Sequence, residues 1–341
     1  MNINSPYPQN PADISRPAAS KPVKSKFWRW LIIALVAIVV LGGGFLLIQK
    51  SLRAKAQTGF IKTANETYAA DPRYISFGAD YLFSVPKSYS VDETTPGLQY
   101  LIPSGVEADK LDTFDKLLDA AGLAVWRINT NDIKASDSSD LKRYVEETLV
   151  PDLKKNVSED VKTTFSFVGK YRSSTVVVNK EGRQIRQYYV YGGPTPFVVA
   201  AQTKSDAFVQ VVNTTISLND AANKADIDQI KQVIPTNLNL AKDGKAQELF
   251  DGSAPEFKTK STVKDIASAL TNSATYTKRN INVPGGTILG GQFVGQLIFA
   301  GVEKDEKPSL GTIGLIKEGD TWKLNSLVLP TPAAPAPAKK K

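Results

Sequence analysis

The sequence predicts an α+β protein, with one N-terminal transmembrane helix followed by two domains built on antiparallel sheets. Three observations carry that prediction. An unbroken, uncharged apolar run occupies Leu31–Ile48. Downstream, stretches of strand length alternate apolar and polar residues and end at Gly, Pro or Asn turns. Between them lie segments whose apolar residues fall at the i, i+3, i+4 spacing of a helix. A chain of 341 residues that is 42% hydrophobic has the material for about two cores.

The apolar run comes first. Its 18 residues span roughly 27 Å as a helix, and adding Phe27–Trp30 brings it past a hydrocarbon core of about 30 Å. Trp28 and Trp30 stand where an interfacial aromatic belt belongs, with Arg29 beside them and Lys50 at the far end. Ala54-Lys55-Ala56 has the small-x-small form of a signal-peptidase site. The apolar run nevertheless exceeds the 7–15 residues usual for a cleaved signal, so the segment reads as an uncleaved anchor. A short tail before the helix and a long polar region after it place the N-terminus in the cytoplasm and the rest outside the cell membrane.

The net charge of +8 follows the same organisation. Residues 1–30 carry a net +4, residues 50–70 a net +3, and Lys339–Lys341 a further +3. Residues 71–220 are at −3 and residues 221–330 at +1. The excess sits in the tails and membrane flanks, which argues for a lipid bilayer and other envelope proteins as partners and against nucleic acid. Composition divides the chain into a disordered cytoplasmic tail (1–26, with five Pro), the transmembrane helix (27–49), a stalk (50–72), an α+β domain (73–220), a second α+β domain (221–330) and a disordered Pro/Ala/Lys tail (331–341).

In the first domain, strands are expected at Asp80–Val85, Leu98–Ile102, Leu123–Ile128, Phe165–Gly169, Ser174–Val178, Gln184–Tyr191 and Phe197–Gln202. A helix is expected over Ser138–Lys155, and another is capped by Ser205 with Phe208, Val209 and Val212 inward. The stretch Phe77-Gly78-Ala79-Asp80-Tyr81-Leu82-Phe83-Ser84-Val85-Pro86-Lys87-Ser88-Tyr89 resembles the opening of the PsbP-like α/β/α sandwich superfamily. That resemblance implies a non-catalytic extracytoplasmic or scaffold protein.

In the second domain, helices are expected at Asp226–Ile234 and Leu240–Asp251, broken at Pro235, and a third is capped by Ser261 and Thr262. Strands follow at Thr275–Val283, Gln292–Val302, Leu310–Lys317 and Trp322–Leu329, with Pro284-Gly285-Gly286 as a turn. Helices followed by a meander, together with Glu248–Lys258 and Gly319-Asp320-Thr321-Trp322-Lys323-Leu324, resemble the cone-shaped nuclear-transport-factor-2-like (cystatin-like) fold of bacterial surface proteins. Enzymes of that fold line a cone cavity with an Asp–His or similar pair. Here Phe250, Phe257, Leu270 and Trp322 are the candidate cavity lining, and their character favours packing over ligand binding.

The chain has no His and no Cys. Imidazole bases, thiolate nucleophiles, disulfides and Cys/His metal sites are thereby excluded. Ser-x-x-Lys occurs at Ser84–Lys87, Ser139–Lys142 and Ser261–Lys264, without the accompanying Lys-Thr-Gly and Ser-Asp-Asn elements. No catalytic residue, cofactor site or metal ligand is assigned. The leading expectation is a non-enzymatic, membrane-anchored extracytoplasmic protein of a bacterium, acting in binding or envelope assembly. Two other expectations stand beside it. One is an accessory envelope hydrolase or isomerase using Asp, Glu, Lys and Tyr, which requires a concave pocket with at least two converging carboxylates. The other is a ligand-sensing subunit.

Overall fold

A computed structural model of the chain describes residues 67–330, apart from 69, 108–109, 112, 129–137, 169–170, 192–195, 203–205 and 302–307. The expected transmembrane helix (27–49), both tails and most of the stalk lie outside the described residues. Among the described residues, no helix is long and apolar enough to cross a membrane. The fold is α+β, and every strand pairing in it is antiparallel.

The first strands, β1 (Arg73–Ser76) and β2 (Tyr81–Ser84), form a hairpin. Strands β3 (Tyr89–Thr95) and β4 (Leu98–Pro103) form the next, turning at Pro96-Gly97. A short helix α1 (Phe114–Asp119) follows, its Thr113 hydroxyl accepting from the Lys116 N–H at 3.2 Å. Strand β5 (Leu123–Arg127) then returns beside β4. The helical stretch expected at 138–155 is present as α2 (Ser138–Tyr144), a π-helical turn over Val145–Leu149 and α3 (Val150–Asn156). Pro151 explains the wide turn. It brings no N–H into the ladder, and the Val150 N–H reaches back five residues to the Val145 carbonyl.

Four strands follow: β6 (Val161–Val168), β7 (Tyr171–Lys180), β8 (Arg183–Tyr191) and β9 (Phe197–Ala201). The β7–β8 turn is Glu181-Gly182, both at positive φ (53° and 77°), which is the two-residue geometry that suits twisted strands. Strands β3 to β9 make one sheet in the order β3-β4-β5-β9-β8-β7-β6. Leu141 and Val145 pack on one face of it against Val176, Val178 and Val198. Phe208, Val211 and Val212 of α4 (Asp206–Thr214) pack on the other, against Tyr188, Phe197 and Val199.

After the short strand β10 (Ile216–Ser217) come α5 (Ala221–Lys242), α6 (Ala246–Gly252), α7 (Pro255–Lys260), α8 (Val263–Asn272) and α9 (Ala274–Thr277). Thr262 starts α8 with a reciprocal box: its hydroxyl accepts from the Asp265 N–H, and the Asp265 carboxylate accepts from the Thr262 N–H at 2.9 Å. Strands β11 (Ile281–Asn282), β12 (Gly285–Leu289), β13 (Gln292–Phe299), β14 (Ser309–Glu318) and β15 (Thr321–Val328) complete the chain. Their sheet runs β10-β2-β1-β12-β13-β14-β15, with β11 on β13, so strands from both sides of residue 220 share it. Phe293, Leu297, Phe299, Ile313, Leu315, Trp322 and Leu324 face the helices across this sheet.

Three elements differ from the sequence expectation. Thr275–Val283 is a helical turn and a two-residue strand, because Tyr276 turns in to pack on the core beside Phe299. Pro284-Gly285-Gly286 opens strand β12 instead of forming a turn. Helix α5 continues through Pro235. Ile227, Ile230, Ile234, Leu238 and Ala241 line one buried face of it, at roughly 1.5–3 kcal/mol for each large side chain. That total exceeds the ~3 kcal/mol of an interior proline. Beside the proline, the Thr236 hydroxyl and Asn237 amide donate to the Gln232 and Val233 carbonyls at 2.9 and 2.8 Å. Pro235 itself is exposed. Pro235→Ala therefore restores a backbone bond without disturbing the core, and should stabilise the fold by about 1–3 kcal/mol in thermal or denaturant unfolding.

Candidate functional site

Strand β1 works on both of its faces, and the period of two sorts its residues. Tyr74 and Ser76 point toward the β3–β9 sheet, whereas Ile75 joins the helix-side core and Arg73 lines a cleft on that side. Among the described residues, a buried polar network and an open polar cleft lie on either side of this strand.

On the sheet-facing side lies Glu93. It belongs to a polar edge strand, yet it is 0% exposed. The register of β3 on β4 shifts between Asp92 and Thr95, and such an irregularity redirects a side chain. Glu93 Oε1 accepts from the Ser76 hydroxyl at 2.8 Å and from the Gly97 N–H at 2.6 Å. The Gln99 amide donates to Ser76 Oγ at 3.1 Å, and the Tyr81 hydroxyl donates to the Gln99 carbonyl oxygen. Oε2 has no hydrogen-bond partner and faces the Tyr74 hydroxyl side of the network. Burial pushes the Glu93 carboxyl above the usual glutamate range, against the opposing pull of the donors from Gly97 and Ser76. Burial, and next the Glu93 carboxyl, also hold the Tyr74 and Tyr81 hydroxyls well above their ordinary range, so both remain neutral donors.

Gly285 makes room for this cluster. It pairs with Ser76 across β1–β12. A Cβ at that position would lie 2.1 Å from the Ile75 carbonyl oxygen, 3.0 Å from the Tyr74 hydroxyl and 3.1 Å from Glu93 Oε2.

On the other side of β1 an open cleft of ≈ 200 Å³ lies between β1, the β12–β13 turn and the start of α5. Ile75, Leu82 and Ile227 are buried beneath it. Asp71, Arg73, Asn223 and Asp226 form its polar walls, and Gly290-Gly291 its rim. Asn223 and Asp226 are three apart near the start of α5 and so share a face. Asp226 accepts from Lys317 Nζ at 2.7 Å and from the Trp322 indole N–H at 3.1 Å. Asp71 accepts from the Gln210 amide at 2.9 Å. Among the described residues, the Arg73 guanidinium and the Asn223 carboxamide have no hydrogen-bond or ion-pair partner.

The candidate cavity-lining residues come together, but away from this cleft. Phe257, Leu270 and Trp322 are buried in the helix-side core, and Phe250 packs against it. Trp322 also borders a shallow groove with Gln232, Val233 and Thr236. The indole bond to Asp226 is its one link to the cleft wall. Trp28, Arg29, Trp30 and Lys50 lie outside the described residues. Among the described residues, no group of acidic side chains is arranged to hold a metal ion. Glu93, Arg73, Asn223 and Asp226 were not singled out by the sequence, because each is a single polar residue in a locally unremarkable stretch. Their meaning comes from pairings between distant segments.

No protein-family model matches the chain, and no curated protein matches it. A solved structure from Bacteroides thetaiotaomicron VPI-5482, determined at 1.50 Å resolution, aligns over 74% of this chain and 89% of its own, at 13% identity and a TM-score of 0.34. At that score the likeness carries no argument.

Glu93 links stability to pH. Its folded pKa is raised, so between the ordinary glutamate value and the raised one the folded state holds a proton that the unfolded state has released. Stability should fall as pH rises through that window. Glu93→Gln, which keeps the shape and removes the titration, should flatten this slope in denaturant melts at a series of pH values. Glu93→Ala should lose about 2–4 kcal/mol, since it opens a cavity and strips the Ser76 and Gly97 donors of their acceptor. Gly285→Ala should lose about 1–3 kcal/mol or more in the same melts, because its methyl meets the backbone of β1.

Proposed function

We propose that this chain is a non-enzymatic, membrane-anchored protein of the bacterial envelope, acting in binding or assembly outside the membrane, with the cleft beside β1 as its recognition site. The observation that carries this reading is the contrast between the two sides of β1. Glu93, whose carboxyl burial pushes above the usual glutamate range, is sealed from solvent and out of a substrate's reach. The open side instead offers a free guanidinium and a free carboxamide over an apolar floor, groups that bind and orient rather than move protons at neutral pH. The anchor part rests on the Leu31–Ile48 run and its Trp28, Arg29, Trp30 and Lys50 flanks. The PsbP-like resemblance supports the same reading, whereas the nuclear-transport-factor-2-like one spans enzymes and inert modules and leaves function to the site.

A second reading, an accessory envelope enzyme, draws on Asp71 and Asp226, two carboxylates lining one cleft. Both are already engaged, by Gln210 and by Lys317 with Trp322.

A photo-crosslinking residue placed at Asn223 in cells separates these readings from an inert scaffold. The binding reading expects discrete adducts that are absent when the same group is placed at Asn239, an exposed position on the same helix. Adducts no different from the control would sink it. If the purified chain turns over an envelope substrate and Asp226→Asn abolishes that turnover, the enzyme reading replaces it.

A further inference from the structure

We infer that the cleft beside β1 takes a monocarboxylate joined to a short aliphatic group, either a free branched acid or the C-terminal carboxylate of a peptide ending in Leu or Val. This rests on the proposal that the cleft is a binding site.

Arg73 is fixed on a strand paired on both sides, to Ser84 and to Ile288, yet its guanidinium has no partner among the described residues. A guanidinium offers five donors in a planar fork and no acceptor, which matches a carboxylate in two parallel bonds. Asn223, across the cleft, offers an amide N–H to the same anion and a carbonyl to any neighbouring N–H. It lies in the first turn of the 22-residue helix α5, whose N-terminal end is already capped by the Asp220 carboxylate, so the anion's donors come from the side chains.

The remaining wall sets the charge. Asp226 is offset by Lys317 at 2.7 Å, while Asp71 keeps its full charge against the neutral Gln210 amide. With Arg73 included, the four charged groups sum to zero. Binding one negative charge at Arg73 is therefore tolerated, whereas a second would face Asp71 and Asp226 at short range. Phosphate and dicarboxylates are disfavoured by the same carboxylates.

The floor sets the rest. Ile75, Leu82 and Ile227 seal the floor, and the partly buried Ile288 and the exposed Leu289 present the accessible aliphatic surface that the group behind the carboxylate meets. At ≈ 200 Å³ the cleft is smaller than sites for drug-sized ligands, which run to about 300–1,000 Å³, and it suits a single residue-sized group.

The test is calorimetric titration of the full chain in dodecyl maltoside with four probes: isovalerate, an acetylated dipeptide ending in Leu, the same dipeptide amidated, and succinate, with inorganic phosphate as a fifth. Isovalerate or the free-acid dipeptide should bind, with the amide, succinate and phosphate at least about tenfold weaker. Whichever of the two binds more tightly identifies the source. Arg73→Gln should weaken that binding about tenfold or more while leaving the unfolding transition in place. If that variant does not fold, Arg73→Lys, which keeps the charge and loses the fork, should still weaken it several-fold. Phosphate or succinate binding as tightly as the monocarboxylates overturns the inference, as does carboxylate binding unaffected at Arg73. Adducts at Asn223 with no carboxylate binding overturn the ligand class and leave the cleft as a binding site. Failure of both overturns the cleft itself.

Discussion

The pairing of β1 with β12 is the interaction on which the rest depends. It brings residues 73–76 against residues 285–288 in antiparallel register. The late strands β12–β15 thereby gain β1, β2 and β10 as the other half of their sheet. Each face of β1 then has a separate task. One closes the core beneath α5, and the other meets the β3–β9 sheet through the Glu93 network. Two hydrophobic cores, one on Tyr81, Phe83 and Phe197 and one on Phe293, Leu315 and Trp322, are stitched at a four-residue strand. A strand so short can hold that place because its neighbours fix it on both edges.

The polar network at this junction is a matter of specificity more than of strength. A carboxyl placed at 0% exposure without a cation partner is costly as an ion. Ser76 and Gly97 donate to one of its oxygens, which offsets part of that cost. An apolar side chain would tolerate neighbouring placements, whereas Glu93 Oε1 meets both of its donors only where Ser76 of β1 and Gly97 of the β3–β4 turn converge. Gly285 enforces the same choice from the other edge, where any side chain would collide with β1. Trp322 plays a similar part on the helix side of the sheet. Its indole donates to Asp226, and Gln229 accepts from the Trp322 backbone and donates to the Asp320 carbonyl, pinning the last hairpin to α5.

What could be read along the chain was what alternation and caps encode locally. Tyr81–Val85, Gln184–Tyr191 and Trp322–Leu329 carry an apolar pattern that survives any tertiary arrangement, and Thr262 with Asp265 marks a helix start by its own chemistry. Four strands escape for different reasons. Strands β1 and β10 are four and two residues long, β3 is polar (Tyr-Ser-Val-Asp-Glu-Thr-Thr), and β12 opens with Gly-Gly. The last is instructive: those glycines read as a turn by conformational freedom, but they serve close approach. Helix α5 was divided at Pro235 because local propensity outvoted the apolar face, and that face decides the outcome once it is buried. The cleft was invisible for a more basic reason. Arg73 and Asn223 are about 150 residues apart in the chain, and no local rule links them.

The sheet that unites the two ends of the body also sets a schedule for making it. Tyr74 finds its partner Thr287 roughly 210 residues later, so contact order is high and loop closure is deferred. At about 5–20 residues per second of synthesis, β1 waits some 10–40 s for β12 to emerge. Through that interval the β1–β2 hairpin keeps an unpaired edge beside a sheet that is already able to form from β3–β9. The nascent chain thus spends its most aggregation-prone moments at its N-terminal end, and whatever shields that edge during synthesis has a defined residue range to cover.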